Sequence, residues 1–308
     1  MFPKYFMFIL GLNLISKALG YTRELGLAWI WGVGSDVDLF LLLMLFPALI
    51  VDFTIMYANG YLTPKYKKNR NNEILAAASI YLNIINTIMT LVFFLGLFFF
   101  KNYITNDNLF ELSIAIVLVS FLWGNVELLK IILIAEKKQI QYSYSIIMGN
   151  ITIILIFIMY SNDTPIIFMP IALIMSYVMQ YVYIRFRLFK NKIYFIYTKN
   201  TFIEFNTMVK NTWLYLYSTF INQFYKNSEK VIAYKIGFGS LSLYYYSGLV
   251  YSLVINIFVV TFLNYIYPKI FEENNIQFDL RTILDFNVNL KLDAFKKLFS
   301  EKTIRMAI

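Results

Sequence analysis

Cysteine and histidine are both absent from this 308-residue chain. Without thiols there are no disulfides and no Cys/His metal sites, and the redox compartment is left open. Without imidazole there is no His-based acid–base or nucleophilic chemistry. No Gly-rich loop ending in Lys-Ser/Thr occurs, so the chain is not an ATPase by itself. Charge is scarce as well: 15% of residues are Asp, Glu, Lys or Arg, where a soluble domain carries about 25%. These absences predict a protein that is not an enzyme and needs no cofactor. Its work, if transport, is driven by an ion gradient, the membrane potential or the substrate's own gradient.

What is abundant is apolar surface, at 59% hydrophobic residues. Runs near 20 residues recur, each long enough to cross a hydrocarbon core of about 30 Å. They predict an all-α polytopic membrane bundle with spans near 5–31, 37–62, 74–100, 109–135, 141–160, 165–187, 211–236 and 241–267. The first is kept as a span because it lacks a small-residue cleavage site and is broken by Lys17, Arg23 and Glu24. The net charge of +9 invites a nucleic-acid reading. The basic residues cluster instead in short loops, as membrane orientation requires. Loops after the even-numbered spans carry Lys65, Lys67, Lys68, Arg70, Lys137, Lys138, Arg185, Arg187, Lys190, Lys192 and Lys199, against Lys101 alone on the other side. Both termini are therefore expected in the cytoplasm, with no nucleic-acid partner. The 25 tyrosines read as ordinary lipid-facing and interfacial side chains rather than a binding box.

A short pattern occurs twice. Glu24, Ala28 and Gly32-Val33-Gly34-Ser35 return as Glu229, Ala233 and Gly237-Phe238-Gly239-Ser240. The glycines alone suit any tight hairpin, but the matched Glu and Ala positions go beyond a turn. The copies start six spans apart, so they run the same way through the membrane, as in a parallel repeat. The expected divisions are a first six-helix bundle at 1–190, a cytoplasmic linker at 191–210, two helices of a second bundle at 211–270 and a polar tail at 271–308. That tail follows Pro268 and reads equally as a short amphipathic helix or as out-of-frame sequence after a break in the gene.

Polar residues are placed at helical spacing inside the spans. Asn13, Ser16, Lys17, Gly20, Arg23 and Glu24 share one face of span 1. A charge near the bilayer centre costs about 2.5–3.5 kcal/mol even on lenient scales, so this face is expected to line a hydrated cavity. Snorkelling accounts for Lys17 but poorly for Arg23 and Glu24 together. Span 7 repeats the design with Thr219, Asn222, Gln223, Lys226, Glu229 and Lys230. In span 2, Asp36 reads as a solvated helix start, Asp38 is even between that and a cavity role, Pro47 predicts a kink and Asp52 faces inward. Glu127 and Lys130 are expected to be a structural ion pair, and Asn83, Asn86, Asn150 and Gln180 to hydrogen-bond between helices.

Ser16 to Glu24, then Gly32-Val33-Gly34-Ser35-Asp36-Val37-Asp38-Leu39-Phe40 and Pro47, resemble the opening of MviN/MurJ-type lipid II flippases, of the multidrug/oligosaccharidyl-lipid/polysaccharide (MOP) exporter superfamily. Gly239 to Tyr246 and Tyr267-Pro268 resemble that family's seventh and eighth helices. The resemblance implies alternating-access flipping of an undecaprenyl-pyrophosphate-linked oligosaccharide across a bacterial cytoplasmic membrane, for the cell wall or a polysaccharide. It implies substrate binding by Lys17, Arg23 and Asp38, while the polar faces of the spans give the expected cavity lining as Asn13, Glu24, Asp52, Asn222, Gln223, Lys226 and Lys230. It also implies a coupling cation, sodium or a proton, at Glu229. The pattern departs at Val51-Asp52 and at Gly248-Leu249, where the family carries basic residues, and its later helices are missing. These departures leave room for a polysaccharide repeat-unit exporter of the same superfamily. A non-transporting remnant or scaffold from a truncated gene is the reading of another class.

Overall fold

A computed structural model describes residues 4–69, 71–100, 109–160 and 164–255, and among these every regular element is helical. The end of the eighth expected span, Pro268 and the 271–308 tail lie outside the described residues. The first helix, α1 (Lys4–Trp31), ends at Gly32, whose φ of +63° turns the chain while its N–H still donates to the Ala28 carbonyl. A left-handed backbone there is cheap only for glycine. Helix α2 (Ser35–Leu43) starts with Asp36 and Asp38 in its first turn, where the positive end of the helix dipole favours carboxylates.

Helix α2 breaks from α3 (Leu45–Tyr57) at Met44. Pro47 lies three residues on; it cannot donate, and its ring excludes the Leu43 carbonyl four residues back. The regular helix is thus interrupted one turn before the proline, where the kink is expected. A π-helical turn (Ala58–Leu62) leads to α4 (Thr63–Asn69). The chain continues as α5 (Asn72–Phe100), α6 (Leu109–Ala135), α7 (Gln139–Ile158), α8 (Phe168–Lys190), α9 (Lys199–Ile236) and α10 (Ser240–Ile255). Five helical stretches are long and apolar enough to span a membrane: Ser35–Lys68, Asn72–Phe99, Leu109–Ala135, Gln139–Ile158 and Phe168–Lys190. They make this a multi-pass helical membrane bundle. Helices α1 and α9 are long enough to cross but fall outside that apolar set.

One expectation needs correction. The 191–210 linker is irregular only to Thr198, and from Lys199 it forms the first turns of α9. Thr198 accepts from the N3 backbone, and the Thr201 hydroxyl accepts from the Thr198 N–H, which fixes the start. At 38 residues α9 is about 57 Å long, well beyond the hydrocarbon core.

Lipid offers no hydrophobic drive between helices, so close packing and polar contacts hold them together. Helix α1 lies on α7, where a Cβ on Gly26 would meet the Phe157 ring at 2.7 Å. Helix α6 sits between α3 and α8, and α9 lies on α3 and α5. Three expected interhelical groups are found: Asn125 donates to Asn83 at 2.9 Å, Ser120 to Asn86 at 3.1 Å, and Asn150 to the Ser16 carbonyl at 3.0 Å. The fourth differs, because Gln180 donates to Ser176 within its own helix. Apolar residues exposed along α5, such as Ile88, Leu91, Leu95 and Phe98, form a lipid-facing side.

The two ends of the bundle differ in chemistry. At one end the Trp31 indole donates to the Thr164 carbonyl, bringing the α1–α2 and α7–α8 connections together. At the other, Lys65 pairs with Glu204, Thr198 hydrogen-bonds Glu73, and Asn191 reaches Gln141. The basic connections therefore share one end.

Candidate functional site

The two Gly-x-Gly-Ser turns pack against each other. A Cβ on Gly239 would meet Val33 Cγ1 at 2.3 Å, and one on Gly34 would meet the Phe238 ring at 3.8 Å. Gly34 matches Gly239 and Val33 matches Phe238, so the two contacts exchange under the repeat. Reciprocal contacts of this kind are what a two-fold arrangement produces. The backbones are not copies, however. Gly34 is extended at φ −175°, whereas Gly239 is at +74° and Gly237 at +152°.

Behind the turns α10 is fastened to the first copy by three bonds. Asp38, 2% exposed, accepts the Ser242 N–H at 2.7 Å and so caps α10. The Tyr246 hydroxyl donates to the Gly32 carbonyl and the Tyr245 hydroxyl to Glu24, each at 2.9 Å. The second copy has Leu243 where the first has Asp38, so the cap has no repeat-related twin.

Glu24 is buried and also pairs with its neighbour Arg23, which stays a quarter exposed. Lys17, two turns earlier on α1, lies within electrostatic reach of Arg23, Lys130 and Glu127. Lys130 is buried and pairs with Glu127 at 2.9 Å, and Trp123 also donates to Glu127 while stacking on Tyr177. Sequence spacing finds the Glu127–Lys130 pair but not its neighbours, because nothing local places α6 beside α1. The result is a polar centre in which Lys17, Arg23 and Lys130 face two carboxylates, leaving an excess positive charge. Buried charges in lipid need such pairing, and the excess suits an anion.

Asn13 belongs to a different contact: it accepts from Ser143 of α7 at 2.9 Å. Asp52 of α3 accepts from Gln223 of α9 and lies 3.7 Å from Lys226, with Lys230 within electrostatic reach. The expected α9 stripe is thus divided. Thr219 and Gln223 are buried, while Asn222, Lys226 and Glu229 are exposed. Glu229 accepts from Tyr244 at 2.7 Å, within the second copy. Residues of α1 that face α7, namely Asn13, Ser16, Gly20 and Gly26, correspond by the repeat to Ser218, Ile221, Tyr225 and Val231, and all four of these are exposed. No group of three or more acidic residues that could hold a metal ion exists among the described residues. No protein-family model, curated protein or solved structure matches this chain.

Proposed function

We propose that this chain is a lipid-linked oligosaccharide flippase of the MviN/MurJ type, in which the two repeat copies face each other across the substrate path. The observation that carries the reading is the polar centre inside the apolar bundle. Lys17, Arg23 and Lys130 outnumber Glu24 and Glu127 there, and Tyr245 of the second copy reaches into it. A pyrophosphate-linked headgroup is the class of substrate such a centre favours. The eight spans, the MOP-type parallel repeat and the bacterial cytoplasmic membrane belong to the same proposal, supported by the reciprocal contacts of the two turns. Packed turns and the Asp38 cap close one end of the path, so transport requires them to part while the other end closes.

Glu229, exposed and accepting from a tyrosine hydroxyl, is the proposed seat of a coupling cation. A polysaccharide repeat-unit exporter is the second reading, favoured by Asp52. This carboxylate stands where the family carries a cation, and it engages Gln223 and Lys226. The test is flipping of fluorescent undecaprenyl-pyrophosphate-linked sugars in vesicles containing the protein. Transport by wild type that is lost in Arg23→Ala and in Lys17→Ala supports the reading. Equal transport by protein-free vesicles, or by both variants, sinks it.

A further inference from the structure

We propose that the end of α8 binds the phosphate headgroup of an anionic membrane phospholipid. Arg185, Arg187, Lys190 and Lys192 fall in the last turns and cap of this spanning helix, and no Asp or Glu occurs from 164 to 203. None of the four has a carboxylate partner among the described residues. By contrast, Lys65, at the same end of the bundle, is engaged by Glu204.

The arginine nearest the membrane is held in place. Arg185 Nε donates to the Tyr181 hydroxyl at 3.0 Å, and its guanidinium lies 4.1 Å from the Phe195 ring centroid. No hydrogen bond from its terminal nitrogens to a protein acceptor is found among the described residues. Arginine fixed this way offers a bidentate fork to a phosphate at little further entropic cost. Beside it is an open cavity of about 310 Å³ lined by Arg185, Phe186, Leu188, Phe189, Ile193 and Tyr194.

The helix cap builds the wall of that cavity. Ile193 N–H donates to the Leu188 carbonyl and Lys192 N–H to Phe189, with Lys192 at φ +59°. This is the Schellman arrangement, and it folds Ile193 back onto Leu188. Phe186 and Phe189, which line the cavity, remain largely exposed. Cations framed by aromatics at a helix end match the headgroup level of a bilayer. The rule that places basic loops on the cytoplasmic side, and the negative end of the helix dipole, explain the presence of charge here. Neither explains an arginine locked between rings over an apolar cavity. The apolar walls favour a phospholipid, whose glycerol and upper chain they would contact, over free phosphate.

The proposal is tested on delipidated protein in detergent micelles, by native mass spectrometry of retained lipid and by thermal unfolding. Phosphatidylglycerol is expected to be retained and to raise the unfolding temperature, with phosphatidylcholine of the same chains and inorganic phosphate doing neither. The double variant Arg185→Gln/Lys190→Gln is expected to retain phosphatidylglycerol about thirtyfold more weakly, at roughly 1 kcal/mol per basic residue. Lys67→Gln/Lys68→Gln, exposed elsewhere on the molecule, should leave retention unchanged. Equal response to phosphatidylcholine, an equal response to phosphate alone, or an equal fall in the Lys67/Lys68 variant would each overturn the assignment. The comparison of the three ligands on wild type holds even where the arginine variant fails to fold.

Discussion

Tyr245 donates its hydroxyl to Glu24 Oε2 at 2.9 Å, and this one bond joins the last described helix to the first. The adjacent Tyr244 serves the repeat-related glutamate, Glu229, but within its own copy. Equivalent carboxylates thus meet neighbouring tyrosines with opposite consequences: one contact crosses between the copies and the other does not. A transition that separates the copies breaks the first and spares the second.

The Arg23–Glu24 pair should behave non-additively. Removing one partner leaves a charge in a largely apolar setting, which costs several kcal/mol for a buried pair, whereas removing both relieves it. Arg23→Met and Glu24→Met are each expected to unfold at lower temperature than the double variant. Tyr245→Phe should cost only about 0.5–1.5 kcal/mol, the net value of one hydrogen bond. Thermal unfolding in detergent of the four variants separates these outcomes, and simple additivity would contradict the pairing.

The matched glycines of the two turns should tolerate alanine unequally. Gly239→Ala places a Cβ against Val33 on a backbone at φ +74°, so a loss of about 1–3 kcal/mol is expected. Gly34→Ala meets only a ring atom at 3.8 Å on an extended backbone, and should stay within about 1 kcal/mol. Expression level and unfolding temperature report both. Equal losses would mean the turns do not pack as described.

How much of this was legible in the sequence follows from range. Apolar runs set the helices, and the break before Pro47 and the Gly32 turn are local events that the residue types dictate. The α9 start was missed because Thr198 and Thr201 cap a segment that looks like a polar loop, and its first turns are held by Lys65 and Glu73 from elsewhere in the chain. Polar spacing singled out Lys17, Arg23 and Glu24. It could not show Lys130 beside them, nor Asp38 acting as the cap of a helix two hundred residues later. Those depend on which helices neighbour each other, and hydropathy carries no such information.

Asp38→Asn keeps an acceptor for the Ser242 N–H, whereas Asp38→Leu copies the residue found in the second repeat and removes it. Loss of an N-cap costs about 0.5–2 kcal/mol, so the leucine variant should be the less stable by that margin. Limited proteolysis near residues 237–240 is the direct measurement, with faster cleavage expected for leucine only.

Two lysines sit on left-handed backbone at helix ends: Lys137 at φ +58° after α6 and Lys192 at φ +59° after α8. Both close Schellman caps, with Lys138 N–H reaching the Leu133 carbonyl at 2.8 Å in the first. Glycine adopts that conformation without the side-chain penalty of about 1–2 kcal/mol per residue. Lys137→Gly is therefore expected to raise the unfolding temperature, and a fall would show that the lysine side chain has a larger role than the backbone.

The absence of cysteine makes the orientation directly measurable, since any introduced thiol is the sole one. Phe238, 77% exposed, marks the end that carries the two glycine turns, and exposed Lys68 marks the end that gathers the basic connections. If the basic end is cytoplasmic, Phe238→Cys should react with a membrane-impermeant maleimide in intact cells. Lys68→Cys should react only after the membrane is permeabilised. The reverse pattern would invert the bundle and place the closed turns on the inner side, where a path opening toward cytoplasmic substrate would need them apart. Labelling of both positions in intact cells would mean the two ends do not lie on opposite sides of one bilayer, and the span assignment itself would fall.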